Sequence, residues 1–177
     1  SPYRESFSTA SDGGIENIWE NIAERKKSLS EHLYAQLPTL SITREMKRVL
    51  YFLIGEIDEN GYLDRDALDA AQEELGIDTE QALDALHILQ SFEPHGVGAR
   101  NLQECLLLQM IQQDNPNVFA EKIIQQHIDA LEQRKYDVIK RSLGIDEASL
   151  QEALAFIAKL DPKPGRVFSA AVDTYIV

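Results

Sequence analysis

Residues 91–109 read Ser91-Phe-Glu-Pro-His-Gly-Val-Gly-Ala-Arg-Asn-Leu-Gln-Glu-Cys-Leu-Leu-Leu-Gln109, and this stretch decides the fold prediction. One proline and two glycines in its first half are unfavourable inside a helix, so they predict a loop that ends the preceding element. Asn101 followed by Glu104 is similar to a capping box, which predicts that a new helix begins there. That helix is apolar on nearly every side and should therefore be buried.

Working outward from this loop, apolar residues recur at helical spacing along the chain, and no segment alternates as a strand would. Before the loop, helical segments are predicted around residues 15–22 and 28–37, 42–57, 65–75 and 79–92. After it, they are predicted at about 101–113, 117–134 and 147–160. The clearest apolar stripe lies on the third of these: Ile42, Met46, Val49, Leu50, Leu53, Ile54 and Ile57. The sequence therefore predicts an all-α fold.

The best candidate for a hinge is Asp114-Asn115-Pro116-Asn117. The residue before a proline disfavours helix, and an asparagine can cap the helix that follows. We therefore predict two small helical lobes. The proposed organisation is a flexible tail at 1–14, a first lobe at 15–113, a hinge at 114–117 and a second lobe at 118–177.

An internal repeat supports two related lobes, because Leu75-Gly-Ile-Asp78 recurs as Leu143-Gly-Ile-Asp146. Each copy predicts a helix, a glycine turn and a second helix, followed by an acidic residue and a proline that we call the acid-proline exit. This is the layout of a helix-turn-helix-like unit. The unit either packs the lobe or reads DNA. Packing is favoured, because outward positions of the second helices are acidic and would repel phosphate: Glu80, Asp84, Glu147 and Glu152.

Charge points to a protein partner. The 177 residues carry a formal net charge of -13, and residues 1–117 hold 9 Lys/Arg against 21 Asp/Glu. Residues 118–177 are nearly balanced, with 8 against 9. A field this negative repels nucleic acid, so the first lobe should bind protein instead.

Composition also restricts the setting of the chain. The lone Cys105 excludes an internal disulfide and suits a reducing compartment. No apolar run approaches the roughly 20 residues of a membrane span, and no signal-peptide pattern begins the sequence. We expect a cytoplasmic protein, or a fragment of one.

Catalytic and metal-binding patterns are weak. The four histidines (His32, His87, His95 and His127) lack metal-ligand spacing, there is no P-loop, and no Ser or Cys nucleophile is paired with a base. Residues 56–67 resemble part of a calcium loop, but its last ligand position is Ala67 in place of a bidentate glutamate. A helix end followed by an Asp64 N-cap explains the same residues. We predict no enzyme activity, no cofactor and no metal.

The helix at 42–57 offers a second face. Basic and aromatic side chains at i, i+3, i+4, i+7 and i+8 lie opposite its apolar stripe, and these residue types are enriched at protein interfaces. They are Arg44, Lys47, Arg48, Tyr51 and Phe52. Alternatively, the two aromatic residues pack under a neighbouring helix while the cations neutralise nearby acids.

Several blocks together resemble one family, across about residues 28–177. The blocks are Ser28 to Leu37 with its spaced leucines, Ile54-Gly-Glu-Ile-Asp-Glu-Asn-Gly-Tyr-Leu63, Leu89 to Gln109, and Leu160-Asp-Pro-Lys-Pro-Gly-Arg-Val-Phe168. Their order and spacing are similar to those of the core-RNA-polymerase-binding region of the bacterial sigma-54 transcription factors. His95 departs from the proline often found at that place in the family.

The resemblance implies a two-lobed helical domain that docks onto core RNA polymerase. In the family, the full protein recognises a promoter and holds polymerase in a closed complex, which an ATP-driven enhancer-binding activator then remodels. The glutamine- and leucine-rich regulatory segment and the promoter-reading elements do not appear in this sequence. We therefore expect polymerase binding, with promoter DNA and activator as partners only of the full-length protein. The alternative is a stand-alone helix-turn-helix DNA-binding regulator.

Two sets of residues are the remaining candidates for contacts. The loop of the first lobe should join the basic helix face in partner binding, through Glu93, Pro94, Gly96, Val97, Gly98 and Arg100. Arg100 is expected to pair with a polymerase carboxylate or with Glu93, although a tight turn that packs the next helix explains the loop equally well. In the second lobe, the basic cluster expected near DNA is Arg134, Lys135, Lys140 and Arg141.

Overall fold

The structure, a computed structural model, describes Gly14, Asn17, Ile18 and residues 28–169. The tail predicted at 1–14 and the helix predicted around 15–22 lie outside this range apart from those three residues. Within 28–169 the chain is helical, with two isolated β-bridges and no strand. The helices are α1 (Leu29–Tyr34), α2 (Arg44–Gly55), α3 (Ala67–Leu75), α4 (Thr79–Leu89), α5 (Leu102–Ile111), α6 (Val118–Gln126), α7 (Ile128–Glu132), α8 (Tyr136–Leu143) and α9 (Glu147–Ala158), with a 3-10 turn at Leu37–Thr39. The all-α prediction is confirmed.

Polar side chains cap the helix beginnings. The Thr43 hydroxyl accepts a hydrogen bond from Met46 N at 3.1 Å at the start of α2. The Asn101 side chain accepts one from Glu104 N at 2.8 Å at the start of α5. Asn117 caps α6 in the same way. The N-caps predicted at Asn101 and Asn117 are confirmed, and each supplies an acceptor to an N–H group that has no partner within its helix.

Two predicted boundaries are wrong. The helix predicted over 117–134 breaks at His127, whose φ of -132° and ψ of 31° are not helical. The His127 ring lies 3.1 Å from the Ser142 hydroxyl, a contact between elements that local spacing does not encode. The predicted Asp64 N-cap is also wrong. Asp64 accepts from Asp66 N at 2.8 Å, and Asp66 is the residue that immediately precedes α3.

The helices pack around two apolar clusters. Helices α1 to α4 surround the first cluster, whose large buried side chains include Leu33, Leu50, Leu53, Ile54, Leu86 and Leu89. Helices α5 to α9 surround the second, which includes Leu106, Met110, Ile123, Ile124, Ile139 and Leu150. Helix α5 therefore packs with the second cluster although it precedes the predicted hinge, and Phe168 returns to pack on the first cluster. The boundary at 114–117 stays a prediction.

The repeat is visible in both lobes as a helix-turn-helix-like unit. Gly76 ends α3 with φ 65°, and Gly144 ends α8 with φ 63°, so both turns are left-handed at the same place. Asp78 then caps α4 and Asp146 caps α9. A left-handed residue after a helix favours glycine because a Cβ would be strained there.

Three loops meet between the lobes, and we call this place the three-loop junction. It comprises the turn at 56–64, the loop at 93–100 and the segment at 161–166. Gly98 N donates to Gly61 O, Leu63 N to Ala99 O, and Gly165 N to Asn60 O, each at 2.9 Å. The Tyr62 hydroxyl donates to Pro162 O at 2.6 Å. Backbone groups far apart in sequence thus satisfy one another.

Two glutamine side chains fasten the acid-proline exits of the repeat. Gln36 donates to Glu93 O at 2.7 Å and accepts from Glu93 N at 3.0 Å. Gln109 donates to Asp161 O at 2.6 Å and accepts from Asp161 N at 2.7 Å. We call each such pair an amide clamp. Since Gln109 is only 7% exposed, its clamp satisfies a buried side chain that would otherwise destabilise the fold.

Gly165 is the tightest point of the three-loop junction. A Cβ there would lie 2.5 Å from Glu59 O and 2.7 Å from Gly61 N, and both of these are backbone atoms that cannot rotate away. At Gly55 a Cβ would meet only the Tyr34 hydroxyl, at 3.7 Å. Close packing of backbone therefore requires glycine at 165 and leaves 55 permissive.

We predict that Gly165→Ala lowers the free energy of unfolding by about 1–3 kcal/mol, because the added methyl forces the junction apart. The matched variant Gly55→Ala should raise it by about 0.5–1 kcal/mol, since alanine loses less entropy in a helix. Urea denaturation followed by circular dichroism measures both. Equal effects of the two substitutions would contradict the assigned packing at the junction.

Candidate protein-docking surfaces

The basic face predicted on α2 is present at the surface. Arg44, Arg48 and Tyr51 are exposed, and Lys47 is partly exposed. The Arg48 Nη2 atom donates to Leu75 O at 2.9 Å, which fixes the guanidinium against the end of α3. Together with Leu37 and Glu45 these residues line a groove of about 740 Å³, which we call the α2 groove.

The two aromatic residues of this face differ. Tyr51 is 61% exposed, and its ring stacks on Tyr34 with centroids 4.5 Å apart. Burial, followed by the neighbouring Tyr51, raises the pKa of the Tyr34 hydroxyl. Phe52 is partly buried and packs on the first apolar cluster, as the packing alternative expects. The available aromatic contact of the α2 groove is therefore Tyr51.

Among the described residues, the cations of the α2 groove form no ion pair with an acidic side chain. Between residues 28 and 169 only two ion pairs form, Arg100 with Glu104 and Lys140 with Glu147. Arg44, Lys47 and Arg48 thus have no carboxylate within 4.0 Å in that range.

The loop at 93–100 is mainly internal. Gly96, Val97 and Gly98 are buried, and Pro94 is partly buried. Gly96 has φ +97°, and a Cβ there would lie 2.8 Å from Gln109 Nε2 and 2.9 Å from Cys105 Sγ. Gly96 therefore packs the loop against α5, whereas Gly98 lies against Leu89 and Gln90 at the end of α4. This close packing matches the tight-turn interpretation. The exposed parts of the loop are the Glu93 carboxylate, His95 and Arg100.

The predicted pairing of Arg100 with Glu93 is wrong. The Arg100 side chain binds Glu104 through Nε at 3.0 Å and Nη2 at 2.6 Å, and Arg100 N donates to the same carboxylate at 2.9 Å. Gln90 adds a further donor at 2.9 Å. The Glu93 backbone is instead held by the Gln36 clamp. Helical i, i+4 spacing favours Glu104 as the partner, a signal that was available in the sequence.

The basic cluster of the second lobe lies around the start and end of α8. Arg134, with φ 58°, Lys135 and Arg141 are exposed. Lys140 donates to Glu147 at 3.0 Å, and this hydrogen bond raises the pKa of Lys140. One of the four predicted cations is thus already paired within the lobe.

The outer faces of the repeated units are acidic, as predicted. Glu80 and Asp84 on α4 are exposed, as are Glu147 and Glu152 on α9. Such faces cannot approach phosphate without strong repulsion. The repeated units therefore serve as packing units in both lobes, and the stand-alone DNA-binding alternative is not favoured.

Potential metal ligands do not cluster in the described ranges. No group of three His, Cys, Asp or Glu side chains there could hold a metal ion. In the calcium-like loop, the Asp58 carboxylate accepts from Asn60 N at 2.9 Å and Tyr62 N at 3.0 Å, so it builds the turn. Burial raises the pKa of the Cys105 thiol, which keeps it protonated. None of the described helices is long and apolar enough to cross a membrane.

The amide clamps and the three-loop junction were not predicted from the sequence. Neither glutamine stands out, because each partner is more than fifty residues away and is a backbone group. The available signal was the repeat, which places an acid-proline exit at the end of each unit and requires that its polar backbone be satisfied. The positions Asn60-Gly61 and Pro164-Gly165 also indicated close backbone approach.

The Arg100–Glu104 pair predicts a pH dependence. Burial opposes ionisation, but hydrogen bonds from Arg100 and Gln90 outweigh it, so the pKa of Glu104 is lowered. Stability from this pair is therefore complete above the unfolded pKa of about 4.3 and is lost as pH falls through the lower folded pKa. We predict that Glu104→Gln costs about 1 kcal/mol near pH 7, since the pair is partly exposed, and progressively less below about pH 4.

Urea denaturation from pH 3 to pH 8 measures this difference. Glu93→Gln is the matched control, because the Glu93 side chain is exposed and forms no ion pair among the described residues. Its effect should not vary with pH. A cost of Glu104→Gln that is constant across the range would contradict the role of the charged carboxylate.

Comparison with known proteins agrees with this geometry. Residues 18–177 match the profile described as "Sigma-54 factor, core binding domain". The "RNA polymerase sigma-54 factor" of Bacillus subtilis (strain 168) is 36% identical over 156 residues, which cover 88% of this chain and 36% of that protein. The protein of the same name from Acidithiobacillus ferridurans is 35% identical over 176 residues, covering 96% of this chain and 37% of its own.

The extent of these matches defines what is shared. The chain spans about a third of the length of these two curated relatives. The match covers both apolar clusters, the three-loop junction and the α2 groove. On this evidence the chain belongs to the sigma-54 factor family, in its core-binding domain.

Proposed function

We propose that this chain is the part of a sigma-54-type transcription initiation factor that attaches the factor to core RNA polymerase. The observation that carries the proposal is the family match over residues 18–177. The α2 groove supports a protein partner through its exposed Tyr51 and through cations that have no carboxylate within 4.0 Å among the described residues, because arginine and tyrosine are frequent anchors at protein interfaces. The domain performs no reaction of its own.

The first lobe supplies the main docking surface. The α2 groove provides Arg44, Lys47, Arg48 and Tyr51. The exposed Glu93 and Arg100 lie on the loop that Gln36, from the turn after α1, clamps to the first lobe. Gly96, Val97 and Gly98 are buried and act indirectly, by packing that loop between the end of α4 and α5.

Other partners belong to the full-length factor. Promoter DNA and an ATP-dependent enhancer-binding activator are proposed as partners of the whole protein. Core polymerase works in the bacterial cytoplasm, so the factor should act there. The second lobe, through Arg134, Lys135 and Arg141, lies near DNA in the assembled complex.

We predict that the 177-residue chain co-elutes with core polymerase and does not shift naked duplex DNA at physiological salt. The double variant Arg44→Ala/Tyr51→Ala should weaken polymerase binding at least tenfold, as for an interface anchor. The matched control is Arg65→Ala/Tyr136→Ala, which removes the same two residue types from other exposed positions. Gel filtration measures co-elution with polymerase, and surface plasmon resonance measures the affinity for polymerase.

Unchanged affinity in a folded Arg44→Ala/Tyr51→Ala variant would remove the α2 groove from the interface. A shift of duplex DNA without co-elution would instead favour the stand-alone DNA-binding class.

The DNA-proximal proposal makes a separate prediction for the full-length factor bound to polymerase on a promoter. Reversing the charge at Lys135 and Arg141 should make the promoter complex less sensitive to salt. The slope of log K against log salt concentration should become shallower by about 0.9 for each phosphate contact that is lost. Lys140 is omitted because Glu147 already pairs with it. Reversal at Lys122 and Lys159, exposed cations of the same lobe, is the control. An identical salt slope in the test and control variants would contradict the proposal.

A further inference from the structure

We infer that the α2 groove binds an acidic segment of core polymerase that carries an apolar anchor side chain. This inference rests on the proposed function and specifies the chemistry of the partner. Cations border the groove, and Leu37 and Tyr51 provide apolar surface within it. An occupant must therefore supply both negative charge and a hydrophobic side chain.

Charge complementarity singles out this surface. Residues 1–117 hold 9 Lys/Arg against 21 Asp/Glu, so most of the lobe repels an acidic partner. Three of those nine cations, Arg44, Lys47 and Arg48, line one groove and have no carboxylate within 4.0 Å in the described ranges. Glu45 is the one acidic residue among those that line the groove. An acidic segment is thus attracted here and repelled from the rest of the lobe, which selects both position and orientation.

The groove is pre-organised for such a partner. Arg48 is held by its hydrogen bond to Leu75 O, and only Nη2 is used in it. A guanidinium has five N–H donors, so the remaining ones can still bind a carboxylate. Tyr51 is held by its stack on Tyr34. Side chains ordered before binding lose less entropy when the partner arrives, which increases affinity without further contacts.

The same features argue against nucleic acid as the occupant. A nucleic acid is longer than the groove, so its phosphates would also lie over the rest of the lobe. The large acidic excess of the lobe would repel them there. A short acidic peptide segment needs only the groove itself. Its apolar side chain would cover Leu37 and pack on the exposed Tyr51 ring. Removal of both apolar surfaces from water would stabilise the complex.

Site-specific crosslinking tests the inference. A photoreactive phenylalanine derivative replaces Tyr51 in the full chain, the chain is bound to core polymerase, and mass spectrometry identifies the crosslinked peptide. The expected peptide has a net negative charge and at least one Leu, Ile, Val, Met or Phe. The derivative at Val138, exposed in the second lobe, reports background crosslinking. A neutral or basic peptide at position 51, or no crosslink in a co-eluting complex, would overturn the inference.

A charge variant gives an independent readout. Arg44→Glu places a negative charge on the rim at the first residue of α2, where a helix tolerates acids well, so the fold should be kept. Polymerase affinity should fall about tenfold at low salt, and the difference should shrink as salt screens the repulsion. Arg65→Glu changes the same residue type at another exposed site of the lobe and should alter affinity less than twofold.

Equal effects of Arg44→Glu and Arg65→Glu would overturn the inference and leave the proposed function intact. Failure of the unmodified chain to bind core polymerase would instead reject the proposed function. The two failures are therefore distinguishable in one set of binding curves.

Discussion

The architecture depends on the backbone contact between Gly165 and the turn at Asn60-Gly61. Gly165 N donates to Asn60 O at 2.9 Å, and no side chain fits between the two backbone segments. This contact returns the end of the chain to the first lobe, where Phe168 packs on the first apolar cluster and stacks near His32. Without it, the two clusters would be joined mainly by the loop between α4 and α5.

Local chemistry explains what the sequence predicted well. Helix caps such as Asn101 and Asn117, left-handed glycines after α3 and α8, and apolar stripes act over a few residues, so their patterns can be read directly. The repeat extended this reasoning to the arrangement of two related units. The basic face of α2 was also identified correctly, because helical spacing alone places its residues on one side.

Non-local contacts explain what was missed. The Gln36 and Gln109 clamps bind backbone groups, which have no sequence signature, and the break at His127 accompanies a contact with Ser142. Phe52 was assigned to the outer face, yet it lies at the border of the stripe and packs inward. Arg100 was expected to pair with a polymerase carboxylate or with Glu93, although Glu104, one helical turn away, is a partner at a much smaller entropic cost. The spacing of residues in the sequence predicts which side chains share a helix face. Which neighbours that face contacts depends on the three-dimensional fold.

The clamps connect the docking face to the second lobe. Gln36 follows α1, whose Tyr34 supports Tyr51, and it holds the Glu93 backbone at the head of the loop that enters α5. Gln109 on α5 then holds Asp161 at the exit of the second lobe. A short series of direct contacts thus connects the α2 groove with the second lobe, which carries the basic cluster around α8.

Such a fixed arrangement matters if both surfaces are used in one assembly. When one site is bound, a rigid connection holds the second near its target at a high effective concentration, whereas a flexible hinge would dilute it. The same connection restricts which partners can engage both sites, because the spacing cannot adjust. Polar clamps at the lobe exits are therefore better suited to this arrangement than apolar packing alone, since paired hydrogen bonds fix orientation as well as proximity.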